Sequence, residues 1–301
     1  MMAGTREFRV ILVPRNTPVM KKIFFVLVIS FFAIEGSAQL SVMNLRLENR
    51  INPVGMDVQT PRFSWQLNSG GKNLMQTAYE IRVTNKSGKS AIWNSGKQTT
   101  DQSVYVPYSG RSLQSATTYY WQVRVWDNKG NISGWSDQAF WQTGLLQKDD
   151  WKAKWIESGS PADSVNGPAL LFRKPFLIRK KIISATAFIT AHGMYEASVN
   201  GRKIGDAFLT PGWTSYNKRL QYQAYDITDM MAMGENVIGI TVGSGWYRTP
   251  LAWNDNKNLY GKKLGLLLQL NITYSDGSQE MIISDKSWKA TDQGPIRFFI
   301  L

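Results

Sequence analysis

The feature that most constrains the fold of this chain is an alternation of apolar and polar residues with a period of two. From Leu264 to Tyr274 every second residue is apolar, and the same alternation runs from Tyr119 to Val125. Successive side chains of a β-strand point to opposite faces of a sheet, so this period predicts strands with one buried face. After residue 38 no long segment has the period of an amphipathic helix. We therefore expect an all-β protein.

Turn-forming residues divide the chain into two domains, which we assign to residues 40–146 and 151–301. In the first domain, the spacing of Leu113, Thr117 and Tyr119 before a strand resembles the tyrosine corner of fibronectin type III sandwiches. In that corner the Tyr hydroxyl bonds to the backbone a few residues upstream. Short strands with frequent turns over about 100 residues favour an antiparallel sandwich.

The second domain carries a hairpin signal and one long strand. Asn200 and Gly201 follow an alternating segment, and this pair suits a two-residue turn in which both residues have positive φ. The long strand described above belongs in the core of a jelly-roll or carbohydrate-binding-like sandwich. Thr228 to Met233, ended by Gly234, predicts one helical turn with Thr228 as its N-cap. We expect two antiparallel β-sandwich domains.

Residues 1–38 have the composition of a signal peptide with an upstream extension. Two lysines precede an apolar run over residues 23–34, and small residues lead to a cleavage position between Ala38 and Gln39. The run is shorter than the roughly 20 apolar residues of a membrane-spanning helix. The alternative is a single anchoring helix. We expect a secreted or periplasmic protein without a stable membrane anchor.

Charge and residue types exclude several kinds of site. The chain has 35 Lys and Arg against 22 Asp and Glu, a net charge of +13, and its basic residues are scattered. A solvated basic surface is the expectation, with no nucleic-acid binding. The absence of Cys excludes a disulfide framework, a Cys zinc site and a Cys nucleophile. The single histidine, His192, excludes a metal site built on a pair of histidines.

An ordered set of motifs in the second domain resembles the N-terminal sandwich of bacterial α-L-rhamnosidases. The motifs are VNGRKIGD at 199–206, LTPGWTSY at 209–216, GSGWY at 243–247 and GPIRF at 294–298. The resemblance covers nearly all of residues 40–298 and places the first domain where that family has a fibronectin-like module. It implies the front of a secreted glycoside hydrolase that acts on terminal α-L-rhamnosides of plant glycans or glycosides.

The resemblance also implies that the catalytic machinery lies outside this sequence. The family hydrolyses rhamnosides in a helical barrel further along the chain. Inverting enzymes of this kind place an acid and a base roughly 6.5–9.5 Å apart. The sequence ends at Leu301, soon after the GPIRF motif. We therefore expect a truncated, non-catalytic N-terminal portion that has no catalytic residue and is inactive alone.

Aromatic residues beside glycine-rich turns and amides form a candidate carbohydrate-binding site in the second domain. Sugars present apolar C–H faces and hydroxyl groups, so such a site combines an aromatic platform with planar polar groups. The resemblance suggests a rhamnose-containing glycan as ligand and Ca²⁺ as an optional cofactor, because related modules of the family bind them. No metal ligand is assigned. The candidate residues are Trp213, Trp246, Tyr247, Trp253, Asn254, Asp255 and Asn256.

Three functions stay open on the sequence alone. The chain is an enzyme fragment without activity, a stand-alone rhamnose-binding module, or a scaffold that docks onto a separate catalytic domain. For Trp213 and Trp246, the alternative to sugar binding is packing within the core or against the missing catalytic domain.

Overall fold

The computed structural model describes residues 40–85, 88, 91–159, 167–251 and 256–296, and over these residues the chain is all-β, as the alternation predicts. The strands form four sheets, in which every pairing of two named strands is antiparallel. Two separate apolar cores lie between these sheets, one in each sandwich. The predicted signal peptide lies outside the described residues.

The first sandwich is built from two sheets. In chain order its strands are β1 (Ser41–Leu47), β2 (Arg62–Asn68), β3 (Gln76–Thr84), β4 (Ala91–Asn94), β5 (Val106–Pro107), β6 (Thr118–Asp127) and β7 (Ala139–Gln142). The strand order is β1-β2-β5 in one sheet and β4-β3-β6-β7 in the other. A 3₁₀ helix, Lys148–Asp150, follows and leads into the second domain.

The predicted tyrosine corner is confirmed. The Tyr119 hydroxyl accepts a hydrogen bond of 2.8 Å from the backbone N–H of Gln114. The Tyr119 ring stacks on Trp141 at a centroid distance of 5.0 Å. Trp121 and Phe63 are also fully buried, with their ring centroids 4.6 Å apart. The alternating residues of β6 therefore form the centre of an aromatic core.

The second sandwich is also built from two sheets. Its strands are β8 (Leu170–Ile178), β9 (Ile182–His192), β10 (Met194–Val199), β11 (Arg202–Lys203), β12 (Gln223–Asp226), β13 (Gly234–Gly243), β14 (Gly265–Tyr274), β15 (Gln279–Ile283) and β16 (Lys289–Thr291). The strand orders are β11-β10-β13-β8-β16 and β12-β9-β14-β15. A 3₁₀ helix, Thr228–Met230, precedes β13, and one helical turn, α1 (Gly245–Arg248), follows it.

The hairpin prediction is confirmed, and the helix-cap prediction is wrong. Asn200 and Gly201 have φ angles of 51° and 79° and join β10 to β11. The 3₁₀ helix near Thr228 is shorter than predicted, and Ile227 occupies its capping position without a side-chain cap. The Thr228 hydroxyl instead accepts a hydrogen bond of 2.9 Å from the N–H of Ala185 in β9. A bond to a neighbouring strand has replaced the expected local cap.

Both faces of β14 are buried along its first half, whereas the sequence predicts one buried face. The linker over residues 151–156 pairs with the edge of β14 and covers part of the second face. Ile156 exchanges two backbone hydrogen bonds with Leu266, at 3.0 and 2.9 Å. The Gln269 side chain, 1% exposed, accepts a bond of 2.7 Å from the N–H of Lys152. The linker is thus an ordered part of the second sandwich.

The two domains touch through close backbone approach. The Tyr222 hydroxyl accepts a hydrogen bond of 2.9 Å from the N–H of Leu145, at the end of the first domain. A Cβ placed on Gly144 would lie 2.2 Å from the Tyr222 hydroxyl oxygen. Gln142 and Thr186 are joined across the same contact by a side-chain hydrogen bond of 3.0 Å. Gly144 therefore permits the second domain to sit directly against the first.

Candidate functional site

Seven aromatic side chains form a continuous series of ring contacts through the second domain, which we call the ring row. Each member lies within 6 Å, centroid to centroid, of the next, or is joined to it by a hydrogen bond. The row begins in the linker, passes through the loop that follows β11 and ends at α1. In order its members are Trp155, His192, Tyr247, Tyr216, Tyr260, Trp213 and Trp246.

The inner half of the row is centred on His192, the last residue of β9. One face of the imidazole stacks on Trp155 at 3.8 Å, with 11° between the ring planes. The imidazole also stacks on Tyr247, at a centroid distance of 5.0 Å and with 1° between the ring planes. Burial lowers the pKa of His192, because an apolar environment disfavours the charged imidazolium, and the carboxylate of Glu157 opposes this only in part. The imidazole is therefore mainly a neutral, flat spacer at neutral pH.

The outer half of the row places Trp213 in solvent. Trp213 is 56% exposed, and it lies parallel to Trp246 at 5.9 Å with 6° between the planes. Its indole N–H donates a hydrogen bond of 3.1 Å to the hydroxyl of Tyr260. The Tyr260 ring in turn packs on buried Tyr216 at 5.0 Å. Trp213 is thus an exposed ring whose orientation is set by neighbours on two sides.

Helix α1 directs two neighbouring aromatic side chains to different environments. Gly245 has a φ of 48°, and a Cβ there would lie 2.4 Å from the side chain of Met194. The tight turn sends Tyr247 into the core and leaves Trp246 half-buried. Arg248 is fully buried, and its guanidinium donates to the Ser244 hydroxyl at 2.8 Å. This bond joins the residues at the two ends of α1.

The segment that carries Trp213 is anchored to β10 and β12. Tyr195 donates its N–H to the Thr210 carbonyl at 2.8 Å, and Gln223 donates to the Pro211 carbonyl at 3.1 Å. Tyr216 donates its hydroxyl to the carbonyl of Gly212 at 3.1 Å. Burial raises the pKa of Tyr216 to about 12, because burial disfavours the phenolate. Its hydroxyl therefore stays protonated as the donor that closes this loop.

The structure brings some of the predicted site residues together. Trp213 and Trp246 stack on each other, while Tyr247 is buried and is linked to Trp213 through the ring row. Asn256 is exposed, and its carbonyl accepts a bond of 3.0 Å from the N–H of Leu251. Trp253, Asn254 and Asp255 lie outside the described residues.

Sequence reasoning missed four members of the ring row: Trp155, His192, Tyr216 and Tyr260. These residues come from the linker, β9 and two loops, and no local spacing relates them. Their aromatic character was the only available signal.

The described residues contain no group of three His, Asp or Glu side chains arranged to hold a metal ion. The Ca²⁺ expectation stays a prediction. Over the same described ranges, no helix has the length and apolar character needed to cross a membrane.

Comparison with known proteins identifies both domains. Residues 42–147 match the Rha78A-like N-terminal immunoglobulin domain, and residues 180–299 match the alpha-L-rhamnosidase N-terminal domain. An α-L-rhamnosidase of Formosa agariphila is 37% identical over 258 residues, which cover 82% of this chain and 28% of that protein. An α-L-rhamnosidase of an Alteromonas species is 34% identical over 300 residues, which cover 93% and 32%.

A solved structure agrees with these relatives. The crystal structure of native α-L-rhamnosidase from Aspergillus terreus superposes with a TM-score of 0.79 at 37% identity, covering 86% of this chain and 30% of that one. The chain thus spans about a third or less of the length of its relatives. Since both domain matches and these relatives agree, the chain belongs to the α-L-rhamnosidase family, of which it holds the two non-catalytic N-terminal domains.

Proposed function

We propose that this chain is the exported N-terminal portion of an α-L-rhamnosidase, and that its second domain binds rhamnose-containing carbohydrate without cleaving it. The observation that carries the binding proposal is the exposed ring of Trp213, held parallel to Trp246 and hydrogen-bonded to Tyr260. The family membership supplies the class of sugar.

The chemistry of the platform suits a deoxy sugar. L-rhamnose has a methyl group in place of the hydroxymethyl group of a hexose, so one side of the sugar is unusually apolar. An exposed indole face stabilises such a surface by burial of apolar area, at about 25 cal/mol per Å². Because Trp213 is already held by Trp246 and Tyr260, less side-chain freedom is lost on binding.

A calorimetric titration of the full chain with methyl α-L-rhamnopyranoside tests the binding proposal. We expect saturable binding to the original chain and at least a tenfold weaker affinity after Trp213→Ala. Tyr105→Ala is the matched control, because Tyr105 is an exposed aromatic residue of the first domain, outside the ring row. Absence of binding to the original chain, or equal binding by the Trp213→Ala variant, would refute the proposal.

An activity assay tests the absence of cleavage. The purified chain is expected to release no rhamnose from an aryl α-L-rhamnoside above the buffer control. Measurable release that rises with the amount of protein and survives repeated purification contradicts the proposal.

Export is tested by N-terminal sequencing. Expression in a bacterial host from Met20 or from Met1 is expected to give a secreted or periplasmic protein that begins at Gln39. A cell-associated product that retains residues 20–38 argues for the anchoring helix instead.

The exposed apolar residues beside Trp213 favour a second function, docking onto the remainder of the enzyme. Phe208 is 83% exposed and Leu209 is 56% exposed, and neither side chain offers a polar group to a sugar. Under this alternative, methyl α-L-rhamnopyranoside does not bind. The substitutions Phe208→Ser and Leu209→Ser then lower the Tm of a longer enzyme that carries this domain. The same substitutions leave the Tm of the isolated chain unchanged.

A further inference from the structure

A cleft of the second domain lies beside Trp155, at the opposite end of the ring row from the Trp213 and Trp246 pair. It has a volume of about 330 Å³ and is bounded by the linker, β8, β16 and the turn that follows β15. This volume is at the lower end of the range of small-molecule sites, about 300–1,000 Å³. Four rings separate Trp155 from Trp213 along the row, so the two places are distinct.

Trp155 is held flat and still presents apolar surface to solvent. One face of the indole stacks on His192 at 3.8 Å. The ring also lies over Gly265, where a Cβ would be 3.2 Å from it, so the absence of a side chain permits this position. Trp155 nevertheless remains 40% exposed and lines the cleft. These contacts make it a preorganised aromatic platform.

The floor of the cleft is rigid and apolar. Trp288 is buried, and its indole N–H donates a bond of 2.8 Å to the carbonyl of Ile283. Phe172 of β8 is also buried and completes the floor. Neither ring can turn without breaking core contacts, so the shape of the cleft is set by the fold.

The rim of the cleft carries two carboxylates and one ammonium group, from Glu157, Asp285 and Lys286. Asp285 is oriented by Ser287, whose hydroxyl donates to one of its oxygens and whose N–H donates to the same oxygen at 2.9 Å, and these two hydrogen bonds lower the pKa of Asp285. Glu157 forms an exposed ion pair of 3.2 Å with Lys263. Carboxylates accept hydrogen bonds from sugar hydroxyls, and the ammonium group of Lys286 donates hydrogen bonds to the hydroxyl oxygens. Glu157 is already paired with Lys263, and Lys174 and Lys154 lie close enough to Asp285 to act on its charge, so the rim has no excess of negative charge.

We propose that this cleft is a separate carbohydrate subsite that binds an uncharged pyranoside. The apolar face of the sugar packs on Trp155, while its hydroxyls donate to Glu157 and Asp285 and accept from Lys286. The site goes beyond the Trp213 platform and does not require it.

NMR titration of the indole N–H signals in the full chain tests this inference. The indole N–H signal of Trp155 is assigned as the one that is absent from the spectrum of the Trp155→Phe variant. The probes are methyl α-L-rhamnopyranoside and methyl β-D-galactopyranoside. We expect at least one neutral pyranoside to shift the Trp155 signal in a saturable way.

Variants that replace the rim carboxylates with amides test whether these side chains bind the sugar. Glu157→Gln/Asp285→Asn is expected to weaken the response of Trp155 at least tenfold. Asp276→Asn is the matched control, because Asp276 lies outside the cleft and orients Ser278 through the same kind of turn that Asp285 forms with Ser287. Unchanged thermal unfolding of both variants shows that the fold is retained.

The outcomes separate this inference from the proposed function. If no neutral pyranoside shifts Trp155, or if the double variant responds like the original chain, the Trp155 subsite is wrong even where Trp213→Ala abolishes binding elsewhere. If Trp155 responds and Trp213→Ala leaves all binding unchanged, the Trp155 subsite stands and the Trp213 platform is wrong.

Discussion

Replacing Gly144 with Ala tests whether the two domains depend on close backbone approach. The added Cβ would lie 2.2 Å from the Tyr222 hydroxyl oxygen and 3.1 Å from the carbonyl oxygen of Gly55. Ordinary contact begins near 3.4 Å, so the hydroxyl must move by about 1.2 Å. The Tyr222 ring is held by Trp151 and Phe188, at centroid distances of 5.3 and 6.2 Å, and cannot simply turn away.

The expected cost has two parts. The hydrogen bond of 2.9 Å between the Leu145 N–H and Tyr222 is lost, which costs about 1–3 kcal/mol where the donor stays buried. Overpacking of the contact adds about 1–3 kcal/mol. We expect Gly144→Ala to lower the free energy of unfolding by about 3 kcal/mol. For a chain of this size that corresponds to a fall in Tm of about 6–12 °C.

Urea unfolding followed by Trp fluorescence, together with calorimetry, measures the effect. Gly134→Ala is the matched control, because Gly134 also lacks a positive φ and a Cβ there would meet nothing within 4 Å. Tyr222→Phe removes the oxygen that clashes, so the double variant Gly144→Ala/Tyr222→Phe should be at least 1 kcal/mol more stable than the sum of the two single effects predicts. A Gly144→Ala variant within about 0.5 kcal/mol of the original chain, or strict additivity, would refute the reasoning.

Three further predictions concern single residues. Tyr119→Phe removes the acceptor of the Gln114 N–H and should cost about 1–3 kcal/mol by urea unfolding, while Tyr105→Phe at an exposed site should cost less than about 0.5 kcal/mol. Asn236→Ala removes four side-chain hydrogen bonds at a 1% exposed position and should cost about 2–4 kcal/mol; a smaller loss in the same assay means that water replaces them. The only imidazole of the chain, that of His192, should titrate by NMR below the ordinary value of about 6.5. The stability that the buried neutral imidazole contributes is then present above about pH 6.5 and lost as the pH falls through the lowered pKa of the folded state. An NMR titration midpoint at or above 6.5 contradicts the burial argument.

Local sequence patterns determined the strands, the hairpin and the tyrosine corner of this protein. The period of two around β6 and β14 depends only on neighbouring residues, since adjacent side chains of a strand point to opposite faces. Asn200 and Gly201 identify their turn because few other residues adopt positive φ at low cost. Tyr119 identified its corner because its partner, Gln114, lies five residues away in the same segment.

The fold alone determined which aromatic residues meet and which surfaces are covered. Trp155 and His192 belong to the linker and to β9, and they stack only because the linker lies along β14 next to β9. The same packing buries Gln269, a polar residue that the alternation assigns to an exposed face. Thr228 lost its predicted cap role for a similar reason, since a neighbouring strand offered its hydroxyl a partner. Hydrophobic burial is non-directional, so a sequence shows which residues prefer to be buried, whereas the path of the chain decides what they are buried against.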